Sequence, residues 1–531
     1  MKNIERFVEI LHGAGVRWVF GVPSGPVLPL IEALRQSPVE FVLTASETSA
    51  GFMASTVGAL TGVPGVCVST LGPGATNLAT GVGCAWLDRC PLIAITCNVP
   101  TSWLRRRIQM RVDHHALFKP LTKGTFPLRN SDLEKRLLQA LELAKDEPPG
   151  PVHLDLPEDV CTARAASFDG AGPRRKKLRR IDAGTFRSIA RALIRSRRPV
   201  VVTGLTFTRC KSREKLLGFV EKQKLPFLTT LHAKGYLPES HPNWVGVVGR
   251  ARRGNVEAFA RKADLILAIG YDPVEINYEE WVRGTPLVHV STERAEAGPG
   301  LNFLVNEAVD LDGFVHRLDE LPPVPNSWSP SDRSRHRERL ERDLRPEGAG
   351  LALHQVLDVL REVMPPDGIL AYDVGAHTHQ IAAQWRTDFP GTCLSTNGWS
   401  SMGYGMPGAY AAKLVHPKKA VAAVVGDGGF LMTAGELSLA RRLRLAVPVV
   451  VLNDGWLGLM KIKQERKGFP ISGVRLGDPP PSPGHYFGVP CCPARNQTEL
   501  EEALRWGLGL DGPSVIEAFI DAGSYSQTVL D

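Results

Sequence analysis

Along this chain, short unbroken apolar runs alternate with stretches in which apolar residues recur every three or four positions, the pattern of buried parallel strands alternating with amphipathic helices. In the first 165 residues the spacing predicts a helix over 3–14, a strand over 18–20, a helix over 27–35, a strand over 40–43, and a helix that carries Glu47 in its first turn and runs toward Gly62. A second block, ending near residue 325, is expected to hold strands over 199–203, 226–229, 265–269 and 287–290, and a third opens with a strand over 368–371. Two polar, basic stretches, 165–181 and 325–350, separate the blocks and read as linkers. The alternation assigns the α/β fold class, with three doubly wound parallel-sheet domains over 1–165, 182–325 and 350–531.

The third block contains the most informative unit. An apolar run over 421–425 breaks at Gly426-Asp427-Gly428-Gly429, a helical pattern over about 433–442 places Leu437, Leu439 and Leu443 on one side, and a second run over 447–452 delivers Asn453-Asp454-Gly455-Trp456. In a right-handed βαβ crossover both strands point the same way, so Asp427 and Asp454 emerge at one carboxyl edge of the sheet, where open α/β sheets bind ligands. Gly428 and Gly429 let backbone N–H groups come close to an anion, and the following helix presents its positive end to it. Carboxylate and phosphate oxygens together make the ligand set of Mg²⁺. Each loop alone is better read as an ordinary turn; the pairing is what points to a metal-bridged diphosphate site.

Composition narrows the class. A chain of 531 residues with 43% hydrophobic and 22% charged residues can build several cores, at about 150 residues per domain. It shows no apolar run of 18 residues, and its N-terminus lacks the apolar core of a signal peptide, so a soluble cytoplasmic protein without a membrane partner is expected. The nine cysteines are scattered without metal-ligand spacing. Much of the net charge of +8 sits at 174–180 and 333–345, inside the expected linkers and without interleaved aromatics, which argues against a nucleic-acid partner.

Asp454 lies 27 positions after Asp427, and Trp456 two beyond that. The pair of loops resembles the signature of thiamine-diphosphate enzymes, in which a GDG aspartate, the residue 27 positions on and a backbone carbonyl two further hold the metal. That resemblance puts Mg²⁺ on Asp427, Asp454 and the carbonyl of Trp456, with Asp454 standing where Asn is usual. The N-terminal block, with Phe20-Gly21-Val22-Pro23, Ser46-Glu47-Thr48 and the loop Gly72-Pro73-Gly74-Ala75-Thr76-Asn77, is similar to the pyrimidine-binding domain of acetolactate synthases, whose catalytic glutamate falls on Glu47. There a carboxyl group bonded to N1′ of the aminopyrimidine stabilises the tautomer whose N4′ takes a proton from thiazolium C2. His377 matches a diphosphate-contacting histidine, and Met402 the apolar wedge that bends the cofactor. Gly72, Gly426, Gly428, Gly429 and Gly458 complete the cofactor contacts.

The resemblance covers nearly the whole chain as pyrimidine-binding, central Rossmann-like and diphosphate-binding domains. It implies thiamine diphosphate and Mg²⁺ as cofactors. FAD is not expected, because Gly270-Tyr271-Asp272-Pro273 stands in place of the run that accompanies flavin in biosynthetic acetolactate synthases. The implied reaction is decarboxylation of a 2-oxo acid with carboligation, acetolactate synthase-like; a non-coupling decarboxylase, an aldehyde or acyloin lyase, and a catalytically silent cofactor-binding relative are the alternatives. Gln109, His114, His115 and Lys463 are further candidates to face substrate, against surface or subunit-contact histidines and a solvated lysine. Small 2-oxo acid or aldehyde substrates are the expected partners, with a homodimer as the smallest unit and a homotetramer as the assembly.

Overall fold

A computed structural model describes residues 1–165, 177–249, 253–275, 284–296, 300–348, 350–479 and 481–521, with single residues 282, 298, 523, 525 and 529. The larger part of the expected linker 165–181 lies outside the described residues.

Three sheets follow one another along the chain. The first contains β1 (Trp18–Gly21), β2 (Glu40–Leu43), β3 (Gly65–Ser69), β4 (Leu92–Asn98), β5 (Thr125–Pro127) and β6 (Pro151–Pro157), in the order β2-β1-β3-β4-β6-β5. The second contains β7 (Pro199–Thr203), β8 (Phe227–Thr229), β9 (Trp244–Val247), β10 (Leu265–Ile269), β11 (Pro286–Ser291) and β12 (Asn302–Ala308), in the order β12-β11-β10-β7-β8-β9. The third contains β13 (Ile369–Tyr372), β14 (Cys393–Leu394), β15 (Val421–Gly426), β16 (Pro448–Asn453), β17 (His485–Tyr486), β18 (Val489–Ala494) and β19 (Ser514–Phe519), in the order β14-β13-β15-β16-β19-β18-β17. Every pairing is parallel except that of β17 with β18. The α/β class of three parallel sheets expected from the alternating pattern is therefore the observed one.

Because successive side chains of a strand face opposite ways, each buried strand feeds two cores. Val66 and Val68 of β3 join the core beneath the helices Asn3–Gly13 and Leu133–Lys145, whereas Cys67 joins Phe52 and Leu78 on the other side. That second core runs on into the third sheet through Ala371, Val425 and Val451. The opposite face of the third sheet, with Leu370, Tyr372 and Val450, shares a core with the second. The third sheet is thus packed between the other two, and its strand ends are held from both sides.

Two corrections concern helices. The stretch 325–350, expected as a linker, contains the helix Pro330–Asp343. Ser329 accepts the Asp332 N–H and the Asp332 carboxylate accepts the Ser329 N–H, a reciprocal cap, while Leu340 and Arg333 are buried. With so few apolar positions, its sequence shows no stripe to read. Gly426-Asp427-Gly428-Gly429 is not a turn leading to a helix at 433 either. The helix starts at Asp427 and runs to Thr433, and a second one, Glu436–Arg442, follows. Among the described residues no helix is long and apolar enough to cross a membrane.

The helix Glu47–Thr61 is positioned by glycine contacts. A Cβ on Gly51 would lie 2.6 Å from Gly81 Cα in the neighbouring helix Pro73–Leu87, so the two backbones touch with no space for a methyl group. Gly51→Ala is expected to lower stability by about 1–3 kcal/mol through overpacking, read as a lower midpoint in chemical denaturation; an unchanged midpoint would show that the helices can separate freely.

Candidate functional site

In the third sheet the chain leaves β13 for the edge strand β14 and then crosses to β15 on the other side, which makes the carboxyl ends of β13 and β15 a topological switch point. Asp373 follows β13, Asp427 follows β15, and Asp454 follows β16. The Asp427 carboxylate accepts the Gly428 N–H at 2.7 Å on Oδ1, and those of Gly455 and Asp454 at 2.8 and 3.3 Å on Oδ2. Asp454 Oδ1 accepts the Trp456 N–H at 2.8 Å. Burial raises the Asp427 carboxyl above its ordinary range, against these amide hydrogen bonds. Burial, and then the Asp427 charge, push Asp454 up to about 7. Two acids held this close and short of solvent, with Lys461 only partly offsetting their charge, form an electrostatic conflict that a divalent cation would resolve.

A cavity of about 440 Å³ opens over this pair. Its lining includes His377, Met402, Gly426, Asp427, Gly428, Gly429, Asp454, Trp456, Gly458 and Lys463, ten of the positions singled out in the sequence. Gly428 and Gly429 form its floor. A Cβ on Gly429 would fall 1.8 Å from Asp373 Oδ2, and one on Gly428 would fall 2.7 Å from Leu457 Cδ2 and 3.1 Å from Met402 Cε. His377 is buried, its Nε2 has no hydrogen-bond partner among the described residues, and burial pushes its pKa down to about 4. An uncharged imidazole with one unmet nitrogen, a glycine floor at a helix N-terminus and two carboxylates fit a diphosphate carried with a divalent ion. Among the described residues no cluster of three or more His, Cys, Asp or Glu could hold a metal, so such an ion would complete its shell with the Trp456 carbonyl and ligand oxygens.

Glu47, Gly72, Gln109, His114 and His115 do not line this cavity. They lie on the helices and loops around the first sheet, where Glu47 is the first residue of a helix capped by Ser46, whose hydroxyl accepts the Ser49 N–H at 3.2 Å. The buried Glu47 carboxylate takes a hydrogen bond from Asn77 Nδ2 at 3.2 Å, and a Cβ on Gly74 would lie 3.1 Å from Glu47 Oε1 and 2.8 Å from Thr70 Cγ2. The Ser69 and Thr70 hydroxyls beside it are buried without hydrogen-bond partners among the described residues. This is a second, separate patch of unmet polar groups around one acid. Gly72, at φ 61°, opens the helix Pro73–Leu87 with no space for a side chain, since a Cβ would fall 2.2 Å from the Met110 carbonyl oxygen. Gln109 is exposed next to that carbonyl.

The histidine pair divides. His115 is half-buried, but His114 is 2% exposed and hydrogen-bonded to Gly72 and Asp155, so the surface alternative does not hold for it. Lys463 lines the cavity from the helix Gly458–Arg466 instead of standing on a wholly solvated face. Asp373 is the main site residue that sequence reasoning missed as a functional group. It is fully buried, accepts N–H groups from Gly403 and Tyr404, and so fixes the loop that carries Met402. Tyr525, near the C-terminus, also lines the cavity with no motif to announce it.

Comparison with known proteins agrees with this arrangement. Residues 1–117 match the thiamine pyrophosphate enzyme N-terminal TPP binding domain, 186–306 the central domain and 373–518 the C-terminal TPP binding domain. The chain is 32% identical to the acetolactate synthase large subunit of Corynebacterium glutamicum over 483 residues, covering 87% of this chain and 76% of that protein. It is 28% identical over 553 residues to a probable acetolactate synthase large subunit of Methanocaldococcus jannaschii, covering 98% and 92%. With the catabolic acetolactate synthase of Raoultella terrigena it shares 29% identity over 533 residues, covering 97% and 94%.

The raised Asp454 carboxyl generates a prediction whose sign is fixed. A carboxyl whose folded pKa of about 7 lies above its unfolded value of about 3.8 stabilises the fold below the lower value and loses that contribution as pH rises through the upper one. Without divalent ions, Asp454→Asn should therefore gain thermal stability over the parent between pH 5 and pH 8, and Mg²⁺ should raise the parent's midpoint more at pH 8 than at pH 5. A stability difference independent of pH would remove the carboxylate conflict.

Proposed function

Because the chain belongs to the thiamine pyrophosphate enzyme family, as an acetolactate synthase-like member, we propose that it decarboxylates a 2-oxo acid and joins the remaining fragment to a second carbonyl compound. The observation that carries this reading is the cavity over Asp427 and Asp454, which joins a polar anion floor to the apolar walls of Met402, Leu457 and Met460. Thiamine diphosphate, when bound, supplies an acidic thiazolium C2–H and a sink for the electron pair released by a departing carboxylate. The residues of this chain do the rest. Asp427, Asp454 and the Trp456 carbonyl hold Mg²⁺, the amides of Gly428 and Gly429 and the His377 imidazole bind diphosphate oxygens, and Gly426 and Gly458 leave space for them. Met402 props the two rings together, a proximity effect. Glu47 holds a proton at N1′ of the aminopyrimidine, and Lys463 attracts the carboxylate of the incoming 2-oxo acid at the cavity mouth.

Glu47 sits outside the cavity of its own chain, which supports a site shared between two chains, with a dimer as the smallest active unit and a tetramer as the assembly. Leu431 and Met432, on the helix that begins at Asp427, are 66% and 62% exposed and supply apolar surface for that contact. The central domain is read as flavin-free. At its own switch point, between β7 and β10, the Glu275 carboxylate already takes the Leu205 N–H at 2.6 Å and His232 Nδ1 at 3.0 Å, where an anionic cofactor would need those donors.

Incubation of the Mg²⁺-reconstituted protein with a panel of 2-oxo acids should yield CO₂ together with a coupled 2-hydroxy-3-oxo acid, acetolactate from pyruvate. Free aldehyde without coupling would favour a simple decarboxylase, and no turnover a silent relative. Glu47→Gln and Asp427→Ala should each be inactive, yet mixing and reassembling them should restore about a quarter of the parent sites, because half the dimers then carry one intact composite site. Absence of recovery would place both residues in one chain's site. The purified protein should lack flavin absorbance, and stoichiometric FAD would overturn the flavin-free reading.

A further inference from the structure

The cavity leaves unexplained a buried cluster of titratable groups in the first domain: His114, His153 and Asp155, with Thr96 and Asn98 among them. Its bonding pattern settles which ring nitrogen carries a proton. The Gly72 N–H donates to His114 Nε2 at 3.3 Å, so that nitrogen offers a lone pair. The proton is then on Nδ1, 3.2 Å from Asp155 Oδ1 and 3.0 Å from Thr96 Oγ1. Asp155 also accepts the Thr96 hydroxyl at 3.1 Å and the Asn98 amide at 3.0 Å. Behind Thr96 the chain of bonds continues outward. His153 Nε2 donates to Thr96 at 2.9 Å, Thr125 donates to His153 Nδ1 at 2.6 Å, and His115 Nδ1 donates to Thr125 at 2.5 Å. Burial pushes His153 down to about 3, so it takes part as a neutral ring with one donor and one acceptor.

The far end of this network is the Gly72 amide, at a left-handed backbone position pressed against the Met110 carbonyl. Gly72 opens the helix Pro73–Leu87, on which Asn77 donates to Glu47 and Gly74 lies against the Glu47 carboxylate. We propose that His114, fixed as the Nδ1-protonated tautomer by Asp155, is a positioning residue: it pins the Gly72 amide, and with it the first turn of the helix on which the Glu47 carboxyl is set. His114 acts through backbone and does not touch substrate. A buried carboxylate–imidazole pair is an expensive way to fill space, and here every polar atom of the pair is committed to the turn or to the bonds that orient it.

The inference rests on the reading of Glu47 as the group that holds the aminopyrimidine, and its test separates the two. Glutamine places an acceptor near where Nε2 stands, whereas asparagine reaches Asp155 but falls short of Gly72. In full-length protein without cofactor, His114→Asn and Asp155→Asn should speed amide hydrogen exchange at Gly72 by about tenfold or more, and His114→Gln should hold it within about threefold of the parent. With thiamine diphosphate and Mg²⁺ bound, exchange of the cofactor's C2 proton should slow by about tenfold or more in the Asn variants and stay within about threefold in His114→Gln, while cofactor affinity stays within about threefold throughout. An unchanged Gly72 amide in His114→Asn, or a Gln variant as impaired as the Asn variant, overturns the proposal. So does a released Gly72 amide with normal C2 exchange. Should His114→Asn fail to fold, His114→Gln and Asp155→Asn decide by the same two measurements. Normal C2 exchange in Glu47→Gln would instead sink the reading of Glu47, while the Gly72 amide would still report on His114.

Discussion

Two carboxylates brought together at the edge of one sheet, where burial and mutual repulsion both work against their charge, form the constraint on which the third domain is built. Asp427 and Asp454 are placed there by adjacent parallel strands, and the Lys461 charge only partly offsets the burial and repulsion that raise the Asp454 carboxyl. Left alone, such a pair costs stability; it persists because a cation and an anion together can convert the conflict into binding. The surrounding chemistry follows from that need. Glycines clear the floor, the helix from Asp427 starts at it, and His377 keeps a nitrogen unpaired among the described residues inside the same space.

Much of this could be read from the chain because it depends on local pattern. Buried parallel strands are short apolar runs, and β7, β10 and β15 fall where those runs do. The two aspartates are legible because a βαβ unit fixes both their edge and their spacing. What escaped depends on contacts distant in sequence. The strand β9 contains Gly246 and spans four residues, too short for a period to appear. The helix Pro330–Asp343 buries one leucine and one arginine, leaving no stripe. Asp373 works by accepting backbone amides from residues some thirty positions on, an arrangement that residue type does not announce. Glycine misled in the other direction: Gly426-Asp427-Gly428-Gly429 reads as a turn before a helix, but Gly428 and Gly429 lie inside the helix, where neighbouring side chains occupy the volume of a Cβ.

The first domain uses a related economy of space. Helix Glu47–Thr61 is buried almost throughout and meets its neighbours through Gly51 against Gly81 and Gly58 against the Pro91 carbonyl. Backbone-to-backbone packing leaves the helix few alternative seats, which suits an element whose first residue has to present one carboxyl group in one direction. The hydroxyl contact between Thr56 and Tyr404, at 3.0 Å, locks the same helix to the third domain.

Glu436 closes that link at the other end. Its carboxylate, buried in the helix that follows the Asp427 segment, accepts the Ala45 and Ser46 N–H groups that introduce Glu47. One polypeptide therefore fastens the turn that presents Glu47 directly to the helices behind Asp427. That fastening makes the two acids parts of one rigid frame, so that a shift of the sheet edge under Asp427 is carried through Glu436 to the turn that presents Glu47.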